Sequence, residues 1–153
     1  MYNVFVSYAQ PQLADALHLQ VRLAMPNVSV FVAEHDLAPG ESLSTAISAE
    51  IKACDLFIVL WTEDAARSQY VNSEIFLAKT ERRRILPLVL KRGVPIPPIL
   101  GDVKYLDATE AHEESVQWLT SVVQTGAQSK ARSQAIALGV LGFLFVAAIS
   151  RGE

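Results

Sequence analysis

A chain of 153 residues is long enough to form one domain with a substantial core. Its 13 basic and 16 acidic residues are interspersed and leave a net charge of −3, so nothing in the charge pattern points to a nucleic-acid partner. The single cysteine, Cys54, excludes an intrachain disulfide and a cysteine metal cluster within these residues, and accords with a reducing compartment.

Tyr2 to Val6 is a short apolar run that predicts a buried first strand, ended by Ser7 and Tyr8. No basic segment precedes it, so no signal peptide is expected. Pro11 suits the first turn of a helix whose apolar positions Leu13, Ala14, Leu17 and Val21 recur at helical spacing. Val28 to Val32 is a second strand. The polar stretch after it, AEHDLAPGESL, contains a Pro39-Gly40 turn, and Ser42 or Ser44 caps the helix that carries Ile47 and Ile51.

Leu56 to Leu60 is unbroken and partly β-branched, the pattern of a strand covered on both faces. Ser68 is placed to cap the following helix, with Val71, Ile75 and Ala78 as its buried stripe. Arg82 to Arg84 is read as a solvated helix end. Ile85 to Leu90 and Val103 to Leu106 are a fourth and a fifth strand, separated by a stretch too rich in proline for a helix of any length. Glu110 to Val123 is a last helix, with Val116, Leu119, Val122 and Val123 inward and Trp118 on its edge. Strands alternating with helices predict parallel βαβ units and an α/β sandwich around one sheet.

The composition then changes. Thr125 to Ser133 is small and polar, which predicts a linker over residues 125–132 between a domain of residues 1–124 and a hydrophobic helix at 133–150. Ala135 to Ile149 is apolar apart from glycine and would span about 27 Å as a helix, slightly short of the roughly 30 Å hydrocarbon layer. Two readings fit: a marginal single-pass transmembrane helix, or a hydrophobic helix buried between subunits. In the first, Lys130 and Arg132 before the tail, against Arg151 after it, place the domain on the cytoplasmic side of a membrane. Gly139 and Gly142 stand three apart, not four as in the close-packing dimer motif.

Glu74 shares a helix face with Tyr70 and Val71. It reads either as a good helix former on the rim of the stripe or as a carboxylate in use, since this helix starts near the carboxyl edge of a sheet, where open α/β folds bind ligands. Other chemistries are missing. The first strand is followed by SYAQPQ and not by a glycine fingerprint, and neither a GK[ST] phosphate loop nor a GxSxG elbow occurs. His18, His35 and His112 are scattered without metal-ligand spacing, so no metal site is expected.

Four segments taken together, FVSYA at Phe5 to Ala9, HDLAPGESL at His35 to Leu43, FIVLW at Phe57 to Trp61 and SQYVNSEI at Ser68 to Ile75, resemble the successive boxes of a TIR (Toll/interleukin-1 receptor) domain of bacterial type over roughly Met1 to Val123. The resemblance implies a flavodoxin-like fold: a five-stranded parallel sheet with helices on both faces, here followed by a C-terminal hydrophobic helix. It also implies homo-oligomerisation through the loop Ala33 to Leu43. TIR domains divide into scaffolds and enzymes that cleave NAD+ at the nicotinamide–ribose bond. In the enzymes a glutamate in an aromatic-x-x-x-Glu pattern is catalytic, and Tyr70 to Glu74 matches that pattern.

NAD+ would be the substrate, with no separate cofactor. The resemblance puts Tyr8 and Tyr70 at the nucleotide site, with Phe31 and Trp61 either facing the cleft or packed in the core. Tyr8 also reads as a strand-end aromatic packed on the first helix. Ala9 departs from the pattern, because such enzymes often carry a basic or polar residue there that could meet the diphosphate. The expected function is NAD+ cleavage, by hydrolysis or cyclisation, activated by self-assembly at a membrane in bacterial antiphage defence or cell-death signalling. The alternative is a non-catalytic scaffold, and a third reading makes the tail itself a membrane-disrupting effector.

Overall fold

The apolar runs become five strands, β1 (Tyr2–Ser7), β2 (Val28–Val32), β3 (Leu56–Trp61), β4 (Arg84–Val89) and β5 (Leu106–Asp107), in a computed structural model that describes residues 1–33 and 44–150, with side chains to residue 139. They form one sheet in the order β2-β1-β3-β4-β5, every neighbouring pair parallel. Parallel neighbours require crossovers, and right-handed crossovers on the two sides of β1 send helices to opposite faces. Accordingly α1 (Leu13–Arg22) and α5 (His112–Ser150) touch on one face, and α2 (Thr45–Ala53) and α4 (Gln69–Thr80) on the other. All six residues of β3 are buried, as its uninterrupted apolar run requires.

The core on the α2/α4 face is an aromatic stack. Phe5 lies between Phe31, at 5.4 Å between ring centroids, and Phe57, at 5.3 Å. Those three residues stand on adjacent strands at matching register, Phe5 opposite both Phe31 and Phe57. Alternation along β1 then points Ser7 to the same face as Phe5, one step nearer the carboxyl edge.

Several sequence expectations are corrected. A 3-10 turn at Gln10–Gln12 precedes α1, and a short helix, α3 (Glu63–Arg67), stands between β3 and α4. Its start is capped by Thr62, whose hydroxyl accepts from the Ala65 N–H at 3.2 Å. Of the two candidate caps for α2, Ser44 is the one among the described residues that accepts from Ile47 N. Strand β5 comes later than Val103 to Leu106 and pairs only Leu106 and Asp107 with Leu88 and Val89. Val89 O accepts from Ala108 N, so β4 residues of odd number face β5. Pro87 therefore faces β5 without an N–H to offer, and the ladder cannot extend further back.

The expected linker at 125–132 is helical and belongs to α5. Its residues tolerate helix, and part of it is docked on the sheet: Ala127 is buried, and a Cβ added at Gly126 would stand 2.6 Å from Tyr2 Cζ. The Lys130 ammonium meets the Asp55 carboxylate at 2.7 Å. Beyond this anchor the helix leaves the domain, with Ile136 and Leu138 exposed. Among the described residues no helix is long and apolar enough to cross a membrane. The span expected at 133–150 falls largely on positions 140–150, whose side chains lie outside the described residues, as do residues 34–43 of the expected assembly loop.

Candidate functional site

Ser7 ends β1 at the carboxyl edge of the sheet, and α4, packed on the face shared with α2, brings Glu74 to it. Ser68 fixes where α4 begins, its hydroxyl accepting from Val71 N at 3.2 Å, while Asn72 Nδ2 donates to the carbonyls of Ser68 and Ala66. From that start, helical spacing turns Val71, Glu74, Ile75 and Ala78 inward together, and all four are buried. Glu74 is thus no rim residue. Its exposure is 0%, and Ser7 Oγ donates to Glu74 Oε2 at 2.5 Å.

A carboxylate removed from water loses its solvation, which favours the neutral acid. Burial pushes the Glu74 carboxyl up from 4.5 to about 8, against the smaller opposing effect of the Ser7 hydroxyl, whose hydrogen bond favours the ionised form. A carboxyl held near neutrality at a sheet edge is suited to acid–base or electrostatic work at physiological pH.

The expected neighbours of Glu74 divide. Tyr8 follows Ser7 and is buried, and Tyr70 is half-buried one helical turn before Glu74. Phe31 is committed to the stack on Phe5. Trp61 is buried, and its indole Nε1 donates to the Pro95 carbonyl at 3.1 Å beyond β4. Ser7 is the residue that the sequence undervalues, since it reads there only as the end of a strand. A second polar group at the same edge went equally unmarked: Thr62 Oγ1 donates to Gln12 Oε1 at 3.0 Å and Gln12 Nε2 to Asp64 Oδ2 at 3.3 Å. This ties the turn after β1 to the segment after β3. The signal that could have found both is a polar residue directly after a buried parallel strand, where α/β folds place their sites. A cavity of about 590 Å³ lined by Arg84, Tyr105 and Trp118 lies at the opposite, amino edge and is separate from Glu74.

These features define an open α/β domain of flavodoxin-like strand order, with a buried carboxyl at the carboxyl edge of its sheet. The TIR domain family model matches residues 4–120, and the chain belongs to that family. Among solved structures it is similar to the TIR domain of the Toll-related receptor TRR-2 from Hydra magnipapillata, at 22% identity and a TM-score of 0.64 over 81% of this chain and 99% of that one. It is also similar to the TIR domains of the activated Roq1 resistosome, which directly recognises the pathogen effector XopQ, at 14% identity and a TM-score of 0.48 over 84% of each chain. The first likeness concerns the fold alone. No curated protein matches the sequence.

Proposed function

We propose that this TIR domain cleaves NAD+ at the nicotinamide–ribose bond, releasing nicotinamide and passing the ADP-ribosyl group to water or to its own adenine. The observation that carries the reading is Glu74, buried and hydrogen-bonded to Ser7 at the carboxyl edge of the sheet. Nicotinamide already bears positive charge in the ground state and leaves as a neutral molecule, so no general acid is required. The ribose develops oxocarbenium character, and the ionised Glu74 stabilises that charge and orients the ribose hydroxyls. The pyridinium ring itself favours ionisation of a carboxyl beside it, opposing the effect of burial. Tyr8 and Tyr70 flank the site, with Phe31 and Trp61 supporting it from the core.

In this state the carboxyl has no exposed surface, so substrate reaches it only after its surroundings part. Self-assembly supplies that step in our reading, with residues 33–43 as the contact between copies. The apolar tail at 135–149 concentrates the domains on the cytoplasmic face of a membrane, in antiphage defence or cell-death signalling. Incubating the full chain with NAD+ in liposomes, beside Glu74→Ala, tests the enzyme: turnover lost in the variant is the expected result, and its product separates hydrolysis from cyclisation. Equal turnover by both proteins would refute the role of Glu74. The complete burial of Glu74 favours one other reading, a scaffold in which the carboxyl never meets substrate. An absence of turnover in the assembled parent would select it.

A further inference from the structure

Ser7 acts on Glu74 in the direction opposite to burial. Ser7 Oγ donates to Glu74 Oε2 at 2.5 Å, and both residues have an exposure of 0%. A hydroxyl that donates to a carboxylate oxygen stabilises the ionised form and fixes the orientation of the carboxyl plane. Ser7 is itself held rigidly, because it is the last residue of β1 and pairs in register with Val59 of the fully buried β3.

The charged side chains described on the elements around the pair are exposed, engaged elsewhere or at the opposite edge of the sheet. On α2, Glu50 and Lys52 are exposed, as are Glu63, Asp64 and Arg67 on α3. Neither β1 nor β3 carries a charged residue, and Arg84 of β4 stands at the opposite edge of the sheet. On α4 itself the Lys79 ammonium is engaged by Asp102. The titratable side chains bordering the pair in sequence are the phenols of Tyr8, which is buried, and Tyr70, which is half-buried.

We infer that Ser7 is a positioning residue for the NAD+-cleaving reaction, orienting Glu74 through its hydroxyl and keeping a usable fraction of that carboxyl ionised at neutral pH. The inference rests on the catalytic reading of Glu74 given above. It assigns to the serine of the FVSYA segment a role in the chemistry in addition to its place at the end of a strand. The required property is a strong hydrogen-bond donor at this position. Threonine satisfies it, whereas alanine does not, and cysteine of similar volume offers only a weak donor.

The test measures two quantities on Ser7→Ala, Ser7→Cys and Ser7→Thr in the full chain. The first is the Glu74 carboxyl titration by 13C NMR, assigned with Glu74→Gln. The second is the pH profile of NAD+ turnover in liposomes. Loss of a hydrogen bond to a charged group raises the carboxyl pKa by about one to two units. The acid limb of kcat should move up equally in the alanine and cysteine variants, lowering the rate near neutral pH by about tenfold or more. KM should change little, and threonine should restore the parent profile.

A carboxyl titration unchanged in folded Ser7→Ala and Ser7→Cys overturns the assignment. So does a rate loss that scales the profile without shifting it, the mark of a merely structural residue. If the titration shifts but the parent itself never turns over NAD+, the catalytic reading of Glu74 fails, and the role of Ser7 in the reaction fails with it. The coupling between the two side chains would then stand as a feature of the fold. The two measurements therefore separate failure of the hydrogen-bond argument from failure of the proposed activity.

Discussion

Replacing Glu74 by glutamine keeps the shape of a fully buried side chain and removes its titration. A group whose folded pKa lies above its unfolded value contributes stability that is fully present below the unfolded pKa and lost as pH rises through the folded one. For Glu74 that window runs from 4.5 to about 8. Below it, both the folded and the unfolded parent carry a neutral carboxyl. Within it, the unfolded chain releases its proton while the folded chain keeps it, which costs roughly 1.4 kcal/mol per pH unit.

Between about pH 5 and about pH 8 the parent should lose roughly 3–4 kcal/mol relative to Glu74→Gln, whatever fixed offset the amide introduces. For a domain of this size about 1 kcal/mol corresponds to a few degrees in Tm, so the variant should gain roughly 10 °C on the parent across that range. Paired thermal melts at several pH values measure the difference, and groups titrating alike in both proteins cancel. A difference that stays flat with pH would refute the argument, because it would mean that Glu74 titrates like an exposed carboxyl. A gap moving in the parent's favour as pH rises would mean that the folded state prefers the ionised form.

Other consequences follow from the packing. Gly126→Val drives a side chain into the Tyr2 ring and should cost about 1–3 kcal/mol in chemical denaturation, with Tyr2→Leu in the same chain recovering part of it. Asp55 accepts both Lys130 Nζ at 2.7 Å and the Asn3 N–H at 2.8 Å. Asp55→Ala should therefore destabilise by about 1–2 kcal/mol and Lys130→Ala, which removes one partly exposed ion pair, by less than about 1 kcal/mol. Equal effects in a double-mutant cycle would contradict that ordering. Ser68→Ala removes the α4 cap and should lower stability by about 1 kcal/mol, detectable as faster amide exchange at Val71.

The sequence by itself determined the alternation of strands and helices, because apolar runs such as 56–60 have no stable outcome except a strand buried on both faces. It determined the cap at Ser68 and the helical register, and therefore that Glu74 turns toward the core side. Local spacing carries that information and nothing more. Whether Glu74 stood at the rim or wholly inside depended on how α4 lies across β1, and Ser7, 67 residues earlier in the chain, becomes its partner only when β1 pairs with β3.

The same limit explains the other departures from expectation. Small polar residues at 125–132 suit a linker or a helix equally well, and contact between Gly126 and Tyr2 decides in favour of the helix. The truncation of β5 arises at Pro87, whose missing N–H matters only because the sheet places it on the side facing β5. Side-chain periodicity is a property of neighbours along the chain. The ionisation of a buried carboxyl is set by what surrounds it in space, and only the tertiary structure decides that.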